Sequence, residues 1–487
     1  MPDDQSFLLK RLTTFSTDPA HLFMQLYDLL PEDLFADRTP TIWLDEPEMR
    51  RRAARVERDI VERGVVDHQR AAGIVRWSGN RGLFTLLRGI DGALWYVNPF
   101  NPAFDHGQLD WLAVRYAATG LLNDEKVIAG ALLPRCTSPG KPRGRGHKAD
   151  FFSVHRVPPE PLNRKIHYGL LESRYDPAFR HEEPVKVACA PLLANFDELR
   201  VSYPPTGGPG SYRLAPGDPA SAAEPYDMAA RITTLIDKMD LAGARIAVMP
   251  EGCLSEKLFH LWQSIARSTA RPDKSLRWLL LGSGPLDGGD PPANRAVLLD
   301  RWTGDTLLTH DKLERFTLDA EQARTWQLPP GPSAGHLEED IVVGSTVAVR
   351  DSSLGRLAVL ICEDLVSSTP WEREFATLGV SHLLVPIFSK PILRYRWEQQ
   401  AAERQTMQIG AWVVISNSLA TATAMGDAAG DDWYTCVVAG PGDPARSRWA
   451  VDLQFGRATA ADDIGWVTTE DGRRRLPTVG PGGIAVT

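Results

Sequence analysis

From residue 185 onward the apolar positions fall into short β-branched runs, separated by stretches in which they recur every three to four residues. That alternation predicts an α/β protein built on a layered sheet. Val185 to Pro191 is the first predicted strand, introduced by Glu183-Pro184. Pro204 to Pro225, dense in Pro and Gly, predicts a loop inserted before the first helix of this region. That helix is Tyr226 to Leu241, with Met228, Ile232, Leu235, Ile236 and Met239 at helical spacing and Gly243 as its stop. A strand at Arg245 to Met249, a helix at Glu256 to Arg267 and a strand at Arg277 to Gly282 follow. Ala296 to Leu299 and Thr306 to His310 form a strand pair turning at Thr303-Gly304-Asp305. Gly355 to Cys362, Ser381 to Ile387 and Trp412 to Ser416 have the composition of buried strands, with a helix at Trp397 to Ile409.

Residues 1 to 180 lack this alternation and are predicted to be a separate mixed α/β or helical region, leaving 181 to 487 as the second domain. The elements expected are an Arg-rich helix at Glu48 to Arg63, strands at Gly82 to Arg88 and Ala93 to Asn98 joined by Asp91-Gly92, and a helix near Asp110 to Leu122. Ser138 to Lys148 is basic and rich in Gly and Pro, so it predicts a solvated loop. It lacks the Gly-x4-Gly-Lys-Ser/Thr spacing of a phosphate cradle.

A length of 487 residues agrees with two domains rather than one core. The net charge of -8 gives no global attraction to nucleic acid or anionic lipid, so nucleic acid is not an expected partner. Five cysteines, Cys136, Cys189, Cys253, Cys362 and Cys436, form no CxxC pair, which fits a reduced cytoplasmic protein with a thiol available for chemistry. The acidic start Met1-Pro-Asp-Asp-Gln has no signal-peptide pattern, and no apolar run approaches the roughly 20 residues of a membrane span.

Three segments carry a reactive side chain just beyond a predicted strand. Ile246-Ala-Val-Met-Pro-Glu-Gly-Cys253 is cut off by Pro250 and leaves Glu251 at the carboxyl end of its strand, where layered α/β folds place ligand contacts. Leu307-Leu-Thr-His-Asp-Lys-Leu-Glu-Arg-Phe316 runs out into Lys312, and Leu357-Ala-Val-Leu-Ile-Cys-Glu-Asp-Leu365 delivers Cys362. Singly, these types are ordinary: a loop carboxylate, a surface lysine, an inert buried thiol. Together they supply what a cysteine nucleophile needs, a base to make thiolate and a cation for the oxyanion.

The order and surroundings of Glu251, Lys312 and Cys362 resemble the nitrilase, or carbon-nitrogen hydrolase, superfamily. The likeness extends to Val185 to Pro191, Val248-Met-Pro-Glu251, Asn294 through Gly304 to Lys312, Gly355-Arg-Leu-Ala-Val-Leu-Ile-Cys-Glu-Asp364, the strand ending at Pro386, and Val413-Val-Ile-Ser-Asn417, covering about residues 183 to 455. The resemblance implies a four-layer αββα sandwich with its site at the strand ends. It also implies Cys362 as nucleophile, Glu251 as general base, Lys312 as the oxyanion's cation and the backbone N–H of Glu363 as a further oxyanion donor. A second glutamate that positions substrate and lysine is assigned to Glu321, in Glu321-Gln-Ala-Arg-Thr-Trp-Gln-Leu-Pro-Pro-Gly331, with Glu314 as the rival. Cys253, two residues beyond Glu251, is the alternative nucleophile.

Ile361-Cys-Glu-Asp-Leu365 is similar to the glutamine-hydrolysing domains of NAD synthetases, which favours an amide over a nitrile as substrate. The ATP-pyrophosphatase partner of those enzymes, with its Ser-Gly-Gly loop, has no counterpart here. The function expected is hydrolysis of a non-peptide amide of a small molecule without metal or organic cofactor, in a homodimer or larger homo-oligomer. The competing expectation is a hydrolase-like subunit that binds a partner through residues 1 to 180, where Trp77, Arg81, Arg88, Trp95, Trp111 and Arg115 would form the surface.

Overall fold

Two large sheets carry the second half of the chain. This computed structural model describes residues 4–35, 39–96, 130–134, 148–159, 166–171, 184–204, 210–222, 226–271, 273–286, 288–325, 336–352, 354–367, 371–422, 432–442 and 451–469. The chain divides into two compact units, one built on Met1–Arg164 with Glu374–Gly379, the other on Lys165–Arg373 and Val380–Asp471.

In the second unit a six-stranded sheet runs in the order Thr306–Asp311, Ala293–Asp300, Trp278–Leu286, Ile246–Val248, Val185–Cys189, Gly465–Thr469. Its central strands, Val185–Cys189, Ile246–Val248 and Trp278–Leu286, are parallel neighbours. They read as apolar runs without alternation because both their faces are covered. The helices Met228–Leu241 and Glu256–Thr269 supply one cover: Ile232, Leu235, Ile236, Met239, Trp262 and Ala266 are buried in one cluster with Ala247, Leu279, Leu281 and Leu299. Each helix starts on a residue whose side chain accepts backbone N–H groups of the first turn, Asp227 in one and Ser255 in the other. Burying side chains of this size contributes about 1.5–3 kcal/mol each.

A seven-stranded sheet runs in the order Val451–Gly456, Cys436–Pro441, Trp412–Asn417, His382–Ile387, Gly355–Val359, Val347–Ser352, Ile166–Leu170. Gly355–Val359, His382–Ile387 and Trp412–Asn417 are parallel. The helix Trp397–Ile409 caps this sheet, with Thr406 Oγ1 donating to Ala439 O at 2.9 Å. Ile166–Leu170 falls within the stretch that the sequence assigns to the N-terminal region, yet it pairs in parallel with Val347–Ser352. A small third sheet orders Thr317–Leu318, Leu337–Glu339, Ser211–Pro216 and Leu199–Ser202. Ser211–Pro216 lies inside the stretch predicted as a loop. Pro and Gly punctuate both of its ends, but Tyr212 and Ala215 are buried and hold a strand between them.

The first unit corrects the sequence reading most. The expected strand pair at Gly82 to Arg88 and Ala93 to Asn98 is instead the second part of the helical segment His68–Tyr96, residues 97 and 98 lying outside the described set. Leu83, Phe84, Leu87, Ile90 and Leu94 recur at helical spacing, and all are buried. That period outweighs the hairpin signal of Asp91-Gly92. The segment kinks at Ser78 and Gly79, and just beyond the kink a Cβ on Gly82 would stand 2.2 Å from Ile74 O, so only glycine fits there. The Arg-rich helix is Pro47–Arg63, as its pattern predicts. Edge-to-face contacts among Phe23, Phe35, Phe84 and Phe152 help fill this unit's core, which Leu132 and Val154 also enter from its two-stranded sheet, Ala131–Pro134 with Val154–Val157. Of the aromatic and arginine set proposed as a recognition surface, Trp77 is stacked between Arg52 and Arg81, and Arg88 pairs with Asp91 at 2.9 Å. Trp111 and Arg115, the expected helix near Asp110 to Leu122, and residues 138–147 lie outside the described set.

Candidate active site

Glu251 is placed by the interruption of its strand. Ile246–Val248 pairs on both sides, Met249 N still reaches Leu280 O, and Pro250, lacking an N–H, interrupts the ladder, which resumes only as the single bridge of Glu251 with Ser283. The next N–H, that of Glu251, turns to Ile387 O at 3.2 Å. Gly282 makes room for this turn: its φ is +73°, and a Cβ there would lie 1.9 Å from Pro250 O. Lys312 follows the strand Thr306–Asp311, its N–H donating to Asn294 O at 2.9 Å and its carbonyl accepting from Gly344 N at 2.7 Å.

Cys362 lies three residues past the strand Gly355–Val359, as the first residue of a 3-10 turn, Cys362–Leu365, and takes φ +47°. A non-glycine residue in the left-handed region is held there by its surroundings. Here the holder is Asp364. Its Oδ2 accepts from Ile361 N at 3.1 Å, and its Oδ1 accepts from Leu313 N and Glu314 N, each at 2.9 Å. One buried carboxylate therefore ties the cysteine turn to the lysine segment.

The side chains meet. Lys312 Nζ donates to Glu251 Oε1 and to Glu339 Oε2, each at 2.7 Å. Phe388 serves both ends of the pair that must exchange a proton: its N–H donates to Glu251 Oε2 at 3.1 Å, and its carbonyl lies 3.9 Å from Cys362 Sγ. The thiol contact is long, which leaves the S–H free to turn toward Glu251, whose charge already acts on the sulfur. A cavity of about 20 Å³ borders Glu251, Lys312, Glu339 and Cys362, with Val201, Tyr212, Leu214, Phe316 and Phe388 as its other walls. That volume holds about one water-sized group.

Relative exposures of 4% for Glu251, 1% for Lys312 and 6% for Cys362 mean that charge is set by neighbours rather than by bulk water. Burial raises the Glu251 carboxyl above its ordinary value against the pull of Lys312, and Glu339 raises it further. Burial works to lower the Lys312 ammonium, but the two carboxylates outweigh it and hold it well above its ordinary value, so it stays charged. Burial, and then Glu251, push the Cys362 thiol well up, with Lys312 opposing. The resting arrangement is therefore thiol beside carboxylate. Burial raises Glu363 as well, against Lys312.

Glu251, Lys312 and Cys362 are brought together, and Glu363 directly follows the sulfur-bearing residue. The second carboxylate on Lys312 is Glu339, not Glu321 or Glu314. Glu321 is exposed on the short helix Ala320–Thr325 and is absent from the cavity walls, while Glu314 gives its backbone N–H to Asp364. Leu337 and Glu339 share the buried face of a three-residue strand, while Glu338 between them is exposed; the residue types Leu-Glu-Glu do not by themselves mark which glutamate is inside. Cys253 is fully buried, donates to Pro250 O at 2.8 Å and is not a cavity wall; burial raises its thiol strongly. Among the described residues, no group of three or more His, Cys, Asp or Glu side chains is arranged to hold a metal ion. No helix among them is long and apolar enough to cross a membrane.

No protein-family model matches the chain, and no curated protein does. Among solved structures, Saccharomyces cerevisiae Nit3, a member of branch 10 of the nitrilase superfamily, is 14% identical over 61% of this chain and 96% of its own, with a TM-score of 0.36. An amidase from Nesterenkonia sp. is 15% identical over 62% of this chain and 96% of its own, with a TM-score of 0.34. The C. elegans NitFhit protein is 14% identical over 60% of this chain and 62% of its own, with a TM-score of 0.38. These three structures, among them a nitrilase-superfamily member and an amidase, are each matched over about 60% of this chain's length.

Proposed function

We propose that the protein is a carbon-nitrogen hydrolase of the amidase type, acting from residues 181 to 487 on a non-peptide carboxamide. The observation that carries the reading is a cavity lined by buried side chains, in which one ammonium bridges two carboxylates beside a thiol. In this reading Glu251 takes the Cys362 proton as sulfur attacks the carbonyl carbon. The carbonyl oxygen becomes an oxyanion facing Lys312 and the backbone N–H of Glu363, which sits at the start of a turn where N–H groups lack an acceptor within the helix. Collapse of the intermediate breaks the C–N bond, and Glu251 returns its proton to the leaving amine. Water then attacks the thioester carbonyl, again deprotonated by Glu251, releasing acid and restoring the thiol. Glu339 takes the role assigned from sequence to Glu321, fixing Lys312 through a second ion pair.

The same reading arranges the fold as an αββα sandwich, with the two large sheets as its inner layers. It is supported by the bonds that join them, Ser416 Oγ to Val248 O at 2.9 Å and Glu251 N to Ile387 O, and by the helices covering each sheet. The site then lies at the ends of strands from both layers.

The test is ammonia release from a panel of small carboxamides. Glu251→Gln keeps the shape of the base but cannot take a proton, and is expected to lower kcat by about 10²–10⁴-fold while KM changes little. Ammonia release at the same rate from that variant, or from no carboxamide with the unaltered protein, contradicts the proposal.

A further inference from the structure

We infer that Asn294 is a positioning residue for Glu251, a neutral clamp that occupies one carboxylate oxygen and leaves the other to receive the Cys362 proton; this rests on the reading of Glu251 as the base. Asn294 lies on the strand Ala293–Asp300 and is 6% exposed. Its Nδ2 donates to Glu251 Oε1 and to Glu339 Oε1, each at 2.9 Å. Lys312 Nζ donates to the same Glu251 Oε1 and to the other oxygen of Glu339. The two carboxylates are therefore bridged twice, once by an ammonium and once by an amide.

The count of lone pairs then decides where a proton can land. Glu251 Oε1 receives two donors, Lys312 and Asn294, which fill both of its acceptor positions. Glu251 Oε2 receives one, the Phe388 N–H. Only Oε2 has an acceptor position left, and Phe388 is the residue whose carbonyl neighbours Cys362 Sγ. The bridging also fixes how the Lys312 hydrogens are used. Two are spent on the carboxylates, and the third is left for the cavity that Lys312 borders.

The choice of a neutral amide has its own consequence. A second cation in this place would match the charge of both carboxylates and hold Glu251 ionised too firmly to act as a base. A third carboxylate would force one of the three to take a proton permanently. An amide gives two N–H donors and no charge, so the cluster keeps one net negative charge to lose when the thiol proton arrives. Asn294 Oδ1 is buried without a hydrogen-bond partner among the described residues, and turning the amide over would aim that oxygen at two carboxylates. The orientation is therefore held by the glutamates, at the cost of one unsatisfied acceptor.

The experiment is the rate of Cys362 alkylation by iodoacetamide as a function of pH in the full-length protein, with the adduct located by peptide mass. The groups facing Glu251 are Lys312, Glu339, Cys362, Tyr212, Glu363 and Cys253. The acid limb of this profile reports protonation of the Glu251–Cys362 pair as a unit. Asn294→Ala removes a donor that favours the ionised carboxylate, so its acid limb is expected to move up by about one pH unit. Asn294→Ser, which keeps a single donor, is expected to move by less. A profile that superimposes on that of the unaltered protein, or one scaled down without a horizontal shift, overturns the inference. Should Asn294→Ala fail to fold, the serine variant decides alone: an upward shift supports the clamp, and no shift overturns it. If Cys362 of the unaltered protein is alkylated at no pH, the hydrolase reading itself fails, and the clamp with it.

Discussion

Replacing Cys362 with alanine is expected to abolish amide cleavage, with a loss in kcat of about 10⁶-fold, the scale seen when a covalent nucleophile is deleted from an enzyme whose other groups act through it. Four neighbours bear on this residue: Glu251 to take its proton, Lys312 to meet the charge displaced onto oxygen, Phe388 to lie beside the sulfur and hold the other oxygen of Glu251, and Asp364 to hold its turn in the left-handed region. None of them is itself a nucleophile. The fold is expected to survive, because alanine removes one atom that borders a cavity rather than one locked in a core. Ammonia release and intact mass after exposure to an amide check the result. Residual turnover near that of the unaltered protein would move the nucleophile elsewhere, and Cys253 would be examined next.

Lys312→Met is expected to be the most destabilising single change in the site. It leaves Glu251 and Glu339 buried together with no cation, and removing one partner of a buried ionic cluster costs about 3–5 kcal/mol. The pH dependence has a definite sign. Without the lysine, the Glu251 carboxyl, already raised by burial, is raised further above its unfolded value of about 4.3, so the folded state binds protons more tightly than the unfolded one. The variant is then nearest to the stability of the unaltered protein below that value and loses ground as pH rises through the raised folded value. Urea midpoints at a series of pH values measure this. A difference between the two proteins that does not grow between acid and neutral pH would mean that Lys312 contributes packing rather than charge.

Much of this site is legible along the chain because its parts are locally punctuated. Pro250 after Ile246–Val248 marks Glu251 without reference to anything distant. Lys312 follows a strand whose partner is reached through a tight turn at Gly304, which takes φ +68°. Cys362 follows an apolar strand long enough to be recognised alone. Glu339 escapes for the opposite reason. Its strand has three residues and exists only by pairing in parallel with Ser211–Pro216 and antiparallel with Thr317–Leu318, one of those partners being more than a hundred residues away. A helix near the lysine, Ala320–Thr325, offers Glu321 at a convenient sequence distance, and nothing local distinguishes an exposed helical glutamate from a buried one on a three-residue strand. The segment His68–Tyr96 failed at another level: Asp91-Gly92 is a strong hairpin signal over four residues, but the buried apolar stripe that overrides it runs through three turns. Asn294 is legible only as the residue that opens the segment running through Gly304 to Lys312, ahead of the strand predicted from Ala296; its two hydrogen bonds to glutamates depend on both being present, which no local window contains.

The most direct test of the central claim, that Glu251, Lys312 and Cys362 work as one chemical unit, is the peptide map of the protein after brief reaction with iodoacetamide at neutral pH. The expected result is an adduct on Cys362, formed far more slowly in Glu251→Gln. An adduct confined to another cysteine, or a Cys362 rate indifferent to loss of the carboxylate, would contradict it.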